Sequence, residues 1–232
     1  YDYYEEVTLP EIEHPEKPKG KTTWHPSGEF MKYNRWDKNP NTNSAFAEEV
    51  RRHYAAAISY ADAQIGKIMS ALKRSGAYKN TIVVLWGDHG WHLGEHAIWG
   101  KHSLFEESLH SPLIIRYPKM KNKGFKTNAI VETLDLFPTL TDLAGIETPS
   151  YVQGVSLRSI LLDPSSAGHM AFAYKNKAST IRTATHRLIL HKDGFVELYN
   201  HQSLDKETVN VADQNQELVD ELKKKLKERE DL

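Results

Sequence analysis

The chain has 232 residues, 39% of them hydrophobic, enough for one substantial core or for one core with a small satellite. Its 30 lysines and arginines against 31 acidic residues leave a net charge of -1, which excludes a general electrostatic case for nucleic acid or an anionic membrane surface. No apolar run approaches the roughly 20 residues that span a bilayer, and the absence of cysteine excludes disulfides, zinc–thiolate sites and thiol catalysis within the chain.

The chain begins at Tyr1, with neither an initiator methionine nor the charged-then-apolar pattern of a signal peptide. It is expected to be a processed or trimmed piece of something longer. Residues 1–43 carry Pro10, Pro15, Pro18, Pro26 and Pro40 among many charges, with little periodicity. They predict a long irregular surface loop that covers another portion or borders a site. The aromatics Trp24, Tyr33 and Trp36 favour an ordered loop over a disordered tail.

Ser44 to Ser75 predicts the clearest helix. Phe46, Val50, Tyr54, Ile58, Ala61, Ile65, Ile68 and Leu72 recur in steps of three and four, making one apolar face. Asn43 or Ser44 can cap its start and Gly76 can end it. Thr81 to Trp86 and Pro112 to Tyr117 are short apolar runs without polar alternation, the habit of parallel strands buried on both faces. Helix, buried strand, loop and buried strand make the rhythm of an α/β fold.

Leu134 to Ala144 predicts a helix that starts near Leu136, because Pro138 is tolerable only in the first turn, and ends at Gly145. Ser156 to Leu162 predicts a short helix. From Met170 onward four strand-like runs, MAFAYK, STIRTAT, RLILHK and FVELYN, are separated by turn residues such as Lys192-Asp193-Gly194. They predict a small antiparallel sheet, closed by an amphipathic helix over Gln216 to Arg229 with Leu218, Leu222 and Leu226 on one face. The organisation expected is residues 1–165 as part of an α/β core, with 1–43 as its loop, and 166–232 as a smaller α+β subdomain.

The chemistry concentrates after the first strand run, at Gly87-Asp88-His89-Gly90. In an open α/β sheet, ligands bind beyond the carboxyl ends of the strands. A carboxylate and an imidazole there can share one cation, while the flanking glycines let the backbone turn and approach closely. A hard divalent cation such as Ca²⁺ needs several oxygen ligands, so others must come from elsewhere. Taken alone, Asp-His-Gly reads more simply as a turn-capping Asp beside a surface imidazole.

The longer run GDHGWHLGEHAIWGKHSLFEESLHSPLIIRYP changes that reading. It resembles the sulfatase family of the alkaline phosphatase superfamily, in the branch that includes iduronate and choline sulfatases. Two further stretches, VETLDLFPTLTDLAGIETPSYVQGVSL and RLILHKDGFVELYNHQSLDKETVNVAD, resemble the same family in the same order. The resemblance covers nearly all residues from about Ser44 onward. It implies the C-terminal part of an alkaline-phosphatase-like, mostly parallel sheet flanked by helices, followed by a small antiparallel sheet with a C-terminal helix.

The resemblance also implies roles. Asp88 and His89 match metal ligands of a Ca²⁺ site, and Lys101 matches the lysine that contacts the substrate sulfate, a compact ammonium suited to an anionic ester oxygen. Trp91 either lines the pocket or is an ordinary core aromatic. Glu95 and His96 match the family's Leu-Gly-Glu-His and are expected to shape the loop. Five of the 12 histidines, His89, His92, His96, His102 and His110, crowd this segment. With His92 and His96 one helical turn apart, zinc is an alternative to Ca²⁺, although the glycines and the resemblance favour an extended loop and Ca²⁺.

The family's nucleophile is a formylglycine made from Cys or Ser in a Cys/Ser-x-Pro-x-Arg motif. No such motif is present here, so the nucleophile is expected in a preceding N-terminal portion, and this chain alone is expected to be inactive. The activity implied is hydrolysis of a sulfate ester on a sulfated sugar or polysaccharide, in a periplasmic or secreted enzyme. The alternatives are a phosphate or phosphonate ester hydrolase of the same superfamily, or a non-catalytic protein that binds sulfated glycans.

Overall fold

The computed structural model describes residues 1–19, 28–121, 123–166, 168–175 and 177–230; Trp24 and Pro26 lie outside them. Helix α1 runs Ser44–Arg74, capped by the Asn43 side chain, which accepts from the Phe46 amide at 3.0 Å. It is followed by strand β1 (Val83–Trp86), a two-stranded hairpin of β2 (His92–Leu93) and β3 (Trp99–Gly100), short helix α2 (Glu106–Leu109) and strand β4 (Leu113–Arg116). Helices α3 (Leu136–Ala144) and α4 (Arg158–Leu162) lead into the antiparallel strands β5 (Ala171–Lys175), β6 (Ala178–Arg182), β7 (His186–His191) and β8 (Val196–Asn200), and α5 (Gln216–Glu230) closes the chain.

The mixed class, the order β5-β6-β7-β8 and the closing helix agree with the sequence. The first strand pair does not. β1 and β4 run antiparallel, with Val84 opposite Ile115 and Trp86 opposite Leu113. Nor are they buried on both faces: Leu85, Trp86 and Ile114 are exposed. An apolar run reports only that burial is wanted, not the direction of the neighbour or which part of the protein supplies the cover.

The C-terminal sheet is an internal layer. Leu188 and Leu198 face one way, onto Val219, Leu222 and Leu226 of α5. Their chain neighbours Ile189 and Tyr199 face the other way, onto Ile98, Leu104 and Phe105 from the segment between β3 and α2. This is the two-residue alternation of a pleated strand with both sides covered. Each such fully buried side chain contributes about 1.5–3 kcal/mol relative to an exposed one.

Ionic contacts bind the same two layers. Arg187 on β7 donates from Nε to Glu207 at 2.5 Å and from its terminal nitrogen to Glu106 of α2. Glu207 also accepts from the Glu106 amide at 2.6 Å and pairs with His201 at 2.9 Å. Burial works against its charge, but Arg187 and His201 outweigh that and hold its carboxyl down to about 2.

The described residues among the first 43 contain two single 3-10 turns, at Asp2–Tyr4 and Phe30–Lys32, and otherwise irregular chain. Their described parts lie along other elements. Arg51 and Arg52 of α1 donate to the carbonyls of Pro10, Tyr4 and Glu5, and Lys19 forms a parallel bridge with Val209. Tyr33 and Trp36 remain exposed.

Candidate active site

Strand β1 ends at Trp86, and the loop that follows is pinned to the α2–β4 segment. Gly87 donates to the Pro112 carbonyl at 2.9 Å and Gly90 to the Ser108 carbonyl at 2.8 Å. A Cβ on Gly90 would stand 2.0 Å from the Glu107 carbonyl oxygen, so only glycine permits this approach.

Between those anchors, Asp88 and His89 are held open to solvent. His89 Nδ1 lies 2.8 Å from the Gly90 carbonyl and donates to it, which leaves Nε2 as the lone-pair nitrogen. That Nε2 is 3.7 Å from Asp88 Oδ2. An anionic oxygen and a neutral imidazole nitrogen, side by side and accessible, fit two positions in the shell of a divalent cation.

Lys101 follows β3. Its ammonium is 5.9 Å from the centre of the Trp91 ring and 3.6 Å from Glu29 Oε1. His102 approaches the other oxygen of Glu29 at 3.2 Å, and the Tyr33 hydroxyl donates to Oε1 at 2.9 Å. Desolvation opposes the Glu29 charge, but Tyr33, Lys101 and His102 outweigh it and keep the carboxyl below its ordinary range. The four residues singled out in the sequence therefore fall into two pairs, Asp88 with His89 and Trp91 with Lys101. Glu29 was not singled out; its only signal was a place in a proline-rich loop suspected of bordering a site.

The hairpin between the pairs is tighter than an extended loop, and His92 and His96 are not on a helix. Gly94 has φ +119°, and a Cβ there would meet Ile12 at 2.7 Å. His96 and Ala97 also take positive φ, 56° and 57°, which non-glycine residues rarely adopt. Several contacts hold them there: the His96 amide donates to His14, Ala97 to Gly94, and Glu95 Oε2 accepts the Leu93 amide at 2.7 Å. The hairpin turns both imidazoles inward, with ring centres 5.8 Å apart, toward Glu107 of α2.

Comparison with known proteins settles the class. The sulfatase family profile matches residues 14–146, and a second profile, N-sulphoglucosamine sulphohydrolase, C-terminal, matches residues 94–231. The chain belongs to the sulfatase family, whose fold is alkaline-phosphatase-like. It is 40% identical to an N-acetylglucosamine-6-O-sulfatase of Bacteroides thetaiotaomicron over 114 residues, 49% of this chain and 20% of that protein. It is 30% identical to arylsulfatase K of Xenopus laevis, over 97% of this chain and 44% of that protein. A solved structure in complex with D-glucosamine-2-N,6-O-disulfate matches with a TM-score of 0.76 at 29% identity, over 88% of this chain and 45% of that one. A phosphonate monoester hydrolase of Silicibacter pomeroyi matches with a TM-score of 0.78 at 26% identity, over 97% and 50%. The chain thus spans less than half the length of these curated relatives.

Proposed function

We propose that the protein of which this chain forms part is a sulfuric ester hydrolase acting on a sulfated sugar or polysaccharide. In this reading residues 1–165 complete its α/β core and 166–232 form a smaller subdomain behind the active-site loop. The observation that carries it is the loop after β1, in a chain of the sulfatase family. It presents an Asp88–His89 pair fit for a cation and, beyond the hairpin, an ammonium beside an aromatic ring.

Each residue has a role in this reading. Asp88 Oδ2 and His89 Nε2 hold one divalent cation, with Ca²⁺ the expected ion; when bound, it supplies positive charge to the ester oxygens. Carboxylates from outside this chain complete the shell. The Gly90 carbonyl fixes His89 in the tautomer that leaves Nε2 available. Lys101 meets the sulfuryl oxygens and carries their charge through the transition state, and Trp91 walls that side of the pocket. Glu29 and Tyr33 hold the ammonium in position when no anion is present. The formylglycine nucleophile belongs to the part of the relatives' length that this chain does not span.

The partner this chain fits is the remainder of the same enzyme. The apolar face of α1, with Ile58 and Ile68 exposed, and the uncovered side of the β1–β4 pair await it. Among the described residues no helix is long and apolar enough to cross a membrane, and we place the enzyme in the periplasm or outside the cell, in line with its proposed polysaccharide substrate.

The similarity to phosphonate monoester hydrolases supports a second reading, hydrolysis of phosphonate esters at the same site. Steady-state kinetics of the full-length protein on matched sulfate and phosphonate esters decides between them. Turnover of sulfated glucosamine at least tenfold above the phosphonate is expected, and the reverse order rejects the sulfatase reading. Calorimetry should show Ca²⁺ affinity weakened in Asp88→Ala; unchanged affinity would remove Asp88 from the metal site.

A further inference from the structure

A second group of ligand atoms lies behind the active-site loop. His92 and His96, from the β2–β3 hairpin, and Glu107, from α2, bring one nitrogen or oxygen each to within 4.8 Å of one another. His96 Nδ1 is 3.6 Å and His92 Nδ1 3.9 Å from the same atom, Glu107 Oε2. Both imidazoles are buried. Glu107 Oε2 is itself buried, with no hydrogen-bond donor among the described residues.

These separations are too long for hydrogen bonds, whose heavy atoms sit at about 2.7–3.2 Å. They are close to the spacing around a tetrahedral ion, where ligand atoms on bonds of roughly 2.1 Å stand about 3.4 Å apart. The outer contacts suit ligation as well. His92 Nε2 lies 2.8 Å from Ser103 Oγ, which lies 2.7 Å from Ser108 Oγ. A proton donated from Nε2 to Ser103 turns the Nδ1 lone pair inward, the arrangement that fixes a metal-binding imidazole. That Nδ1 lies 3.2 Å from the Glu95 carbonyl oxygen, a hydrogen bond that the ring gives up when Nδ1 turns ligand.

The neighbouring cluster of Glu106, His201 and Glu207 makes the contrast. It has a similar ligand count, but the Arg187 guanidinium fills it and neutralises both carboxylates. Among the described residues, the groups within ion-pair distance of Glu107 are the two imidazoles, and no lysine or arginine pairs with it. Desolvation drives His92 and His96 down to about 4, so both are neutral and able to ligate near neutral pH.

We propose that His92, His96 and Glu107 form a buried site for a zinc-class divalent cation, separate from the site at Asp88 and His89. Two imidazoles and one carboxylate favour zinc over calcium or magnesium, which take oxygen shells. The ion would staple the hairpin carrying Trp91 and Lys101 to α2, and would be taken up as the protein folds. The inference does not depend on which ester the enzyme cleaves.

The test uses the full-length protein, produced with zinc chloride in the medium, then dialysed against EDTA and returned to calcium. Elemental analysis should find about one zinc per chain in the wild type and in Asp88→Ala, and less than about a tenth of that in His92→Leu and Glu107→Gln. Circular dichroism establishes that each variant is folded, and the near-isosteric Glu107→Gln covers the case in which His92→Leu is not. Cobalt supplied in place of zinc should give the visible absorption of a four-coordinate site in the wild type and in Asp88→Ala, and not in His92→Leu or Glu107→Gln. Wild-type protein with less than about a tenth of an equivalent of zinc, or zinc retained in full by Glu107→Gln, overturns the proposal.

Discussion

Ile58 and Ile68 on α1 and Ile114 on β4 are 56%, 67% and 60% exposed, whereas Leu188, Leu198 and Leu226 around the C-terminal sheet are fully enclosed. All six are large aliphatic side chains in regular elements. The C-terminal sheet has found its partners within this chain: α5 on one face and the segment from Ile98 to Phe105 on the other. The α1–β1–β4 region has not. Its helix is periodic and capped, yet only Phe46 and Ala47 along its 31 residues are buried. Hydrophobic periodicity therefore marks where cover is required, and the tertiary packing decides which stretches obtain it from the same chain. The loop with Asp88 and Lys101 lies between the two regions, at the edge of the unfinished one and braced by the finished one.

The largest effect that could break this contrast is autonomy. Residues 1–232 expressed alone should be poorly soluble and without sulfatase activity, because exposed apolar surface and open strand edges promote association. Light scattering and activity on an aryl sulfate measure both properties. A soluble, cooperatively folding and active chain would show that the α1 face needs no further cover.

The second prediction concerns the brace. Arg187→Met in the full-length enzyme leaves the buried Glu207 without its guanidinium and the half-buried Glu106 with Arg182 alone, and should destabilise by about 3–5 kcal/mol. Adding Glu207→Gln should recover part of that loss. Denaturant titration of the single and double variants checks it, and a single-variant loss below about 1 kcal/mol would show that the ionic contacts do not hold the layers. The pH dependence has a definite sign. Glu207 is held down to about 2 when folded, against an ordinary glutamate value of 4.5. Its contribution is therefore complete above about 4.5 and lost as pH falls toward 2. The wild type should lose its advantage over Glu207→Gln across that window.

What was legible follows the same division. Pro138 and Gly145 bracket α3, which runs Leu136–Ala144 as the sequence predicts, because its start and stop signals are local. The four C-terminal strands and α5 were equally plain, since alternation and periodicity are local and the cover comes from nearby chain. The antiparallel pairing of β1 and β4 was not, because an apolar run looks alike in either orientation. The four candidate site residues stood out as a motif, but their pairing did not. The meeting of His92, His96 and Glu107 was legible only in part: the two histidines stand out by their spacing as a zinc alternative, but the favoured extended loop does not foresee the hairpin made by glycine at 94 and positive φ at 96 and 97, nor the approach of Glu107. Glu29 meets Lys101 across 72 residues, a distance that no local pattern encodes.

The third prediction sharpens the difference between a charge that braces and a charge that acts. Lys101, unlike Arg187, is partly exposed and lies against Trp91 and Glu29. Lys101→Ala should leave the folding transition in place and lower sulfatase kcat/KM about a hundredfold, or roughly 3 kcal/mol, the usual loss for one preorganised charged donor. Kinetics within about threefold of wild type would remove Lys101 from the reaction.

The smallest expected effect sits on the seam between α3 and β5. Asp135 is fully buried and accepts from the amides of Glu132 at 2.7 Å and Val155 at 2.9 Å. His169 Nε2 is 2.6 Å from Asp135 Oδ2, and its Nδ1 is 2.8 Å from the Met170 carbonyl. Desolvation lowers the affinity of His169 for its second proton, but the Met170 carbonyl, Asp135 and Glu132 outweigh it, and the net shift is upward from 6.5. A raised folded value means the stabilisation is complete below about 6.5 and disappears as pH rises past the folded value. With His169 partly exposed, the charge-assisted pair is worth on the order of 1 kcal/mol. His169→Gln keeps a donor for Asp135 but loses the charge. The difference in denaturation midpoint between wild type and His169→Gln should therefore be larger at pH 6 than at pH 9. A difference that is constant with pH, or that grows as pH rises, would mean that His169 holds the seam as a neutral donor and not as a cation.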